Sequence, residues 1–591
     1  MIADRQIALE AAASLPAVFF DTARLHPSRP AQWHRTDRGY VPVTYEHLYS
    51  RICHVATGLM RVGVKPGDRV ALLMENIPEW AVADYAILSI GAVTVPLYCS
   101  YRPQDMAYVL RDAGVKLAIT SGGKVARHLL NVADTCPKLR AVYVMEKMAD
   151  GDKLRLFTEL EVGEVDVAGL EARLKSVGRD TLATLVYTSG TTGEPKGVML
   201  SHGNILSNLK AIPAIFLFVP DDKMLSFLPL AHVLERMASH FLPYTFGISV
   251  AFAERPDTVA KNMAEAKPTI LIAVPRLLEV IRSRILGQVA KQSAFKQRLF
   301  RQFLALGAKQ GNAVSWWAGV RFRLLDRLIG QKIRDRFGGK IRLMVSGGAP
   351  LSVEVAEFFG AIGLPILEGY GMTEAAPLIS ANPVDDRRMG SVGKPVIDVE
   401  VNIANDGEIL VRGPNVMAGY WKRRKETHEA IVKGWLHTGD IGELDEDGYL
   451  RITDRKKDLI VNSGGENVAP QRIEGLLVAE EMIEQVVVYG DQKPYLVAMI
   501  VPTEEACMAW AHKEGLPETD WEHLAESDIL RKTLQTRISE HLKGLAQHEQ
   551  IRRICIRPQP LTIEEGLLTP TMKIKRRKVH EQFREVLEGL Y

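Results

Sequence analysis

The stretch TLATLVYTSGTTGEPKG, Thr181 to Gly197, joins a short apolar strand to a loop of glycines and small hydroxylated residues that ends on a lysine. Such a loop leaves backbone N–H groups uncovered, and Lys196 adds a positive point charge, which is the composition needed to cradle polyphosphate. Thr188, Ser189, Gly190, Thr191, Thr192, Gly193 and Lys196 are therefore candidate phosphate contacts. The loop is not a Walker motif, which requires G-x-x-x-x-G-K-[ST]; here Gly197 follows Lys196 and Pro195 precedes it, so a P-loop NTPase is disfavoured.

Outward from this strand, β-branched runs alternate with helix-length amphipathic stretches. RVALLM, AVTVPLY, VKLAIT, AVYVME, SVAFAE, TILIAV and IRLMVSG read as further strands, with helices expected over Glu79–Ile90, His202–Ala211, Thr258–Ala266 and Ser352–Phe359. That alternation predicts an α/β protein with layers around largely parallel sheets. At 591 residues the chain exceeds a single typical domain. The charge-dense run Asp454–Asp458 follows a β-rich stretch with an Asp447-Gly448 hairpin turn, and marks a boundary. We expect a large N-terminal domain over 1–454, with α/β layers and a β-rich subdomain, and a small α+β C-terminal domain over 455–591.

Composition narrows the function classes. With 74 basic and 71 acidic residues the net charge is only +3, which gives no case for nucleic-acid binding. Five scattered cysteines without a CxxC pair argue against a disulfide scaffold or zinc site and for a reducing compartment. Charges at Asp4, Arg5 and Glu10 interrupt any signal-peptide apolar core, and the longest apolar stretch, Ala81–Tyr98, contains Asp84, Gly91 and Pro96. A cytoplasmic protein is expected. Residues 276–340 stand apart, with fifteen Lys/Arg against three acids and apolar residues at helical spacing. This insertion, helical over about 285–340, leaves two readings open: a surface hairpin packed on its own core, or a basic helix pair lying on an anionic membrane, at its inner face.

The loop resembles the signature of the acyl-adenylate-forming superfamily, and further segments follow in that family's order: LPLAH (Leu228–His232), SGGAPL (Ser346–Leu351), EGYGMTE (Glu368–Glu374), GWLHTGD (Gly434–Asp440), DRKKD (Asp454–Asp458) and LTPTMKIKR (Leu568–Arg576). Together they cover nearly the whole chain. EGYGMTE contains a Gly-x-Gly, but Glu374 stands where a dinucleotide fingerprint wants its third glycine, so Rossmann NAD binding is a weak reading.

The resemblance implies roles residue by residue. Gly348, Ala349 and Pro350 would line the adenine pocket, as would the segment Glu368, Gly369, Tyr370, Gly371 and Met372, with Tyr370 stacked on the base. Thr373 would touch phosphate, and Glu374 with Thr192 would hold Mg2+; a hard cation on phosphate oxygens does want a carboxylate. Asp440 would accept the ribose hydroxyls and Arg455 would be a second ribose contact. Lys573 matches the catalytic lysine, with Lys575 as an alternative, and Met572 stands where many members have glycine. Lys457 matches the hinge, about which a mobile C-terminal domain turns to present Gly464, Gly465 and Glu466 along a pantetheine tunnel.

The reaction this implies needs no protein nucleophile: a carboxylate attacks the α-phosphorus of ATP, and the acyl-AMP then meets a thiol. LPLAHVLER and VPRLLEV, with the insertion after them, resemble long-chain fatty acyl-CoA synthetases; His232 would lie near the carboxyl and Arg276 near the acyl pocket. The substrates implied are a long-chain fatty acid, ATP and CoA, with Mg2+. Carrier-protein pantetheine as acceptor, a catalytically idle fatty-acid binder, and a homodimer stay open.

Overall fold

The structure is a computed structural model that describes residues 8–148, 153–188, 194–255, 258–309, 316–464, 466–516, 520–569 and 573–591. It is a mixed α/β fold, as the alternation of runs predicts. Two large sheets form the body. One has eight strands, in the spatial order Gly419–Tyr420, Lys196–Ser201, Leu182–Thr188, Val93–Pro96, Arg69–Leu73, Leu117–Thr120, Ala141–Val144 and Leu154–Leu156, parallel except at the Gly419–Tyr420 end. The other has nine, with Ser249–Phe252, Lys223–Ser226, Ile270–Ala273, Leu343–Ser346 and Ile366–Gly371 running parallel through its centre.

The helix Pro78–Ser89 explains how the sheets come together. Its sequence PEWAVADYAILS is apolar on nearly every face, and Trp80 to Ser89 are all buried. A helix without a polar stripe has to be covered all round. It lies in a core shared with strands of both sheets, among them Val70, Leu72, Ile119, Val250 and Ile270. Asp84 at its middle is buried too, and is matched by Arg236, whose Nη2 and Nε lie 2.6 and 3.1 Å from the carboxylate. Burial alone would raise the Asp84 carboxyl, but Arg236 and His240 together outweigh it and hold it at about 2.

An antiparallel subdomain follows, with Glu400–Ile403, Glu408–Arg412, Trp435–Leu444 and Leu450–Arg455 as its main strands and the Asp447-Gly448 turn where the sequence places one. After Arg455 the chain enters a smaller α+β unit. Its three-stranded sheet, Ile483–Tyr489, Leu496–Pro502 and Ile551–Ile556, has a separate core with Ile473, Leu477, Leu530 and Leu534.

The basic insertion is helical over Pro275–Ala290, Ala294–Gly307 and Trp316–Leu325, continuing through a π turn, Asp326–Gly330, into Gln331–Asp335. Phe300, Phe303 and Leu325 are buried beneath it, and Phe303 stacks on Phe322 at 5.6 Å. Its inner face is thus a packed hairpin, one of the two readings of its sequence. Among the described residues no helix is long and apolar enough to cross a membrane.

Candidate active site

The phosphate-loop segment leaves the body at a sheet end. Strand Leu182–Thr188 pairs antiparallel with Lys196–Ser201, so that Thr188 faces Lys196 and Tyr187 faces Gly197. Ser189, Gly190, Thr191, Thr192 and Gly193, which carry most of the expected phosphate contacts, lie outside the described residues. The strands on either side of this segment are fixed by side chains. A Cβ at Gly197 would come within 3.0 Å of the Tyr187 ring, whose hydroxyl donates to Asp112 at 2.6 Å. A larger residue would require that ring to shift by a few tenths of an ångström.

Beyond the loop, Lys196 places its ammonium 5.1 Å from the Tyr420 ring centre, and the Tyr420 hydroxyl donates to Glu374 at 2.8 Å. Glu374 is buried in the short turn Thr373–Ala375 that follows strand Ile366–Gly371. Burial raises its pKa, and the Tyr420 hydrogen bond works against that rise. A single buried carboxylate of this kind fits Mg2+ arriving on a nucleotide, which keeps water and phosphate as most of its ligands. No cluster of three or more His, Cys, Asp or Glu able to cage a metal occurs among the described residues.

Gly348, Ala349 and Pro350 are exposed just past the carboxyl end of strand Leu343–Ser346. Gly348 has φ +84°, a left-handed conformation that suits glycine, and a Cβ there would meet only open space. The neighbouring strand holds Glu368 to Gly371, and burial lifts the Glu368 carboxyl to about 7. The Tyr370 hydroxyl donates to Asp440 Oδ2 at 2.6 Å, while Arg455 Nε donates to Asp440 Oδ1 at 3.1 Å. Register explains the second contact, since Asp440 and Arg455 are direct partners across the antiparallel pair.

Lys573 reaches the same place from the C-terminal unit. Thr569 closes a tight turn around it, with its N–H donating to Lys573 O at 2.8 Å and its hydroxyl accepting from Lys573 N at 3.0 Å. Burial, then the Arg455 guanidinium, bring the lysine down to about 8 against the pull of Asp440. His232 is close enough for the Lys573 charge to act on it, after burial, in lowering the imidazole to about 4. It caps the helix Val233–Arg236, its Nδ1 accepting from Leu234 N at 3.2 Å. Lys575 belongs elsewhere: Lys578, Arg102 and Asp105 are the charges that act on it. Met572 lies outside the described residues.

Four expected residues stand apart from this centre. Arg276 donates to Glu484 of the C-terminal unit at 3.0 Å and lies 3.7 Å from Glu279 of its own helix, so its described contacts are ion pairs, one of them across the seam. Its position at the start of helix Pro275–Ala290 turns it to that seam. Gly464 and Glu466 are exposed in a turn organised by Asn462, whose side-chain oxygen accepts from both backbone N–H groups; Gly465 lies outside the described residues. Lys457 is an exposed turn residue between two anchors. Lys456 is tied to Glu408 at 2.9 Å, and Asp458 accepts from Gln471 of the C-terminal unit at 3.1 Å.

Sequence reading missed Tyr420, which links Lys196 to Glu374, and Arg236, whose Nη1 donates to Thr184 Oγ1 at 2.7 Å beneath the loop. The GYW triplet Gly419–Trp421 is the only sequence signal for the former, and Arg236 stands four residues after His232, the end of LPLAH, with no spacing rule to single it out.

The AMP-binding enzyme family model matches residues 19–421, and the AMP-binding enzyme C-terminal domain model matches 457–591. The long-chain-fatty-acid–CoA ligase FadD15 of Mycobacterium bovis is 36% identical, over 98% of this chain and 97% of that protein. Human long-chain-fatty-acid–CoA ligase 1 is 33% identical, over 94% of this chain and 83% of its own length. Among solved structures, the adenylation domain of a carboxylate reductase from Mycobacterium chelonae superposes with a TM-score of 0.78 at 22% identity, covering 100% of this chain and 93% of that one, a likeness of fold. With both family models matched along its length and relatives above 30% identity covering nearly all of it, this chain belongs to the AMP-binding, acyl-adenylate-forming enzyme family.

Proposed function

We propose that the protein is an ATP-dependent long-chain fatty acid–CoA ligase. The observation that carries this reading is the convergence of Lys573, from the C-terminal unit, on Asp440, Arg455 and His232 of the body. The fatty carboxylate attacks the α-phosphorus of ATP in line. The bond to the bridging oxygen breaks, pyrophosphate leaves, and acyl-AMP remains. Charge grows on the phosphoryl oxygens and the leaving group, so fixed positive groups aimed there lower the barrier. Lys573 and Lys196 supply the side-chain charges, Thr373 and Thr188 hydroxyl contacts, and Asp440 with Arg455 holds the ribose. Mg2+, held partly by Glu374 and Thr192, would neutralise phosphate charge.

In the second step the CoA thiolate attacks the acyl carbonyl, the mixed anhydride opens, and AMP leaves as the thioester forms; the thiol proton goes to solvent. The thiol needs the space that Lys573 occupies, so the C-terminal unit turns about Lys457 between the two steps. Gly464 to Glu466, exposed here, would then line the pantetheine path. His232, kept neutral by burial, lies on the carboxyl side without adding a second positive charge. Each methylene of a fatty chain buried on apolar surface stabilises binding by about 0.8 kcal/mol, which is how an acyl site selects chain length.

The test is pyrophosphate release from ATP with palmitate or oleate, with and without CoA. Release that depends on fatty acid, and thioester that depends on CoA, are expected. Release indifferent to fatty acid would remove the reading, and turnover driven only by a carrier protein would replace CoA as acceptor.

A further inference from the structure

We propose that the outer face of the basic helical insertion docks on an anionic lipid surface. The inner face is already satisfied, with Phe300, Phe303 and Leu325 in the core. Yet Trp316 and Trp317 are 71% and 74% exposed, and Leu324 and Leu328 are 61% and 59% exposed. On helix Trp316–Leu325, Trp317, Arg321 and Leu324 recur at helical spacing on one side, and Leu328 follows in the π turn. Phe295, at the start of the preceding helix, is as exposed as the tryptophans. Folding does not require these five large apolar groups on the outside, and so many in one insertion mark an interaction surface.

The charges around them select the partner. Arg321, Arg323, Arg327 and Lys332 on this run, and Lys296, Arg298 and Arg301 on the neighbouring helix, are exposed and make no ion pair with a described acid. Residues 276–340 carry a net +12 within a chain whose total is only +3. A second copy of the face would be repelled by like charge. A nucleic acid would meet the arginines and stack on the tryptophans, but it has no use for Leu324, Leu328 and Phe295. A bilayer of anionic lipids answers all three features: phosphates for the basic side chains, the interfacial zone for the indoles, and hydrocarbon for the aliphatic groups. Docking here does not rest on the ligase reading, because it is measured without turnover.

The experiment uses the full chain with vesicles of phosphatidylcholine, alone or mixed with phosphatidylglycerol. Co-sedimentation with the anionic vesicles only, release by added salt, and tryptophan quenching by brominated acyl chains are expected. W316A/W317A should lose most of that quenching. R321E/R323E/R327E should lower partitioning by roughly a hundredfold, with circular dichroism and melting temperature unchanged in both variants. Undiminished partitioning and quenching in both variants, equal binding to neutral vesicles, or no binding at low salt would overturn the proposal. So would tighter binding to a single-stranded oligonucleotide than to anionic vesicles, or a dimer that W316A/W317A dissolves without any vesicle binding.

Discussion

Replacing Lys573 by methionine removes one charge while leaving a side chain of similar length. The ammonium ordinarily titrates at 10.5 and is brought to about 8 here. At about 1.36 kcal/mol per unit, keeping it charged in the folded protein costs about 3 kcal/mol. The folded value lies below the unfolded one. The cation therefore weakens the fold fully below pH 8, and the penalty fades as pH rises toward 10.5, where the unfolded chain loses its proton too. Incoming polyphosphate offsets that cost, which is why a buried lysine suits the adenylation step. At pH 7 the Lys573→Met protein should resist urea better than the parent, by up to about 3 kcal/mol. Its rate of pyrophosphate release with oleate should fall by roughly a hundred- to a thousandfold. Thioester formation from synthetic oleoyl-AMP and CoA should be unchanged. Equal loss of the two half-reactions, with no gain in stability, would refute both the placement of Lys573 and the turning of its domain.

Tyr420→Phe removes the donor to buried Glu374, and the magnesium concentration giving half-maximal rate should rise by roughly tenfold, since a hydrogen bond to a charged group contributes about 1.5–3 kcal/mol; a Mg2+ titration reads it. Arg236→Met leaves Asp84 buried with the Thr94 hydroxyl, which donates to it at 2.7 Å, and His240, whose Nε2 lies 2.8 Å away, and should cost about 3–5 kcal/mol in denaturant unfolding, part of which returns in the double variant with Asp84→Asn. Glu235, raised to about 8 by burial, stays protonated in the fold while the unfolded chain ionises near 4.5, so stability is lost as pH rises from 4.5 to 8. Glu235→Gln should abolish that loss, and the comparison of urea midpoints at the two ends of the window checks it. Above pH 8 the free enzyme's kcat/KM for ATP should decline as Lys573 loses its proton, a limb that Lys573→Met should lack.

The parallel core of the fold was readable because its strands are continuous β-branched runs, and buried parallel strands need that composition. The pair Pro30–Thr36 and Gly39–Thr44 was not, because PAQWHRT and GYVPVT close one end of a sheet, where most of their residues are only partly buried and no apolar run is required. In the site, motifs marked the residues that belong to continuous segments. They gave no means of separating Lys573 from Lys575, which share a basic run; the turn closed by Thr569 does that by sending the two side chains to different surroundings. The ion pair of Arg276 was not legible for a related reason. Its partner Glu484 is 208 residues further on, and only the packing of the two units brings them together. Tyr420 answers to the need of Glu374 for a donor, a need that exists only once the carboxylate is buried.

Arg455 is the last residue of its strand, and the exposed Lys457 comes two positions later. On the proposed pivot at Lys457, Asp440 and Arg455, proposed to hold the ribose, would stay on one side while Lys573 turned with the other. A spent nucleotide would remain moored through the whole swing, and would be the final species to depart in each catalytic cycle.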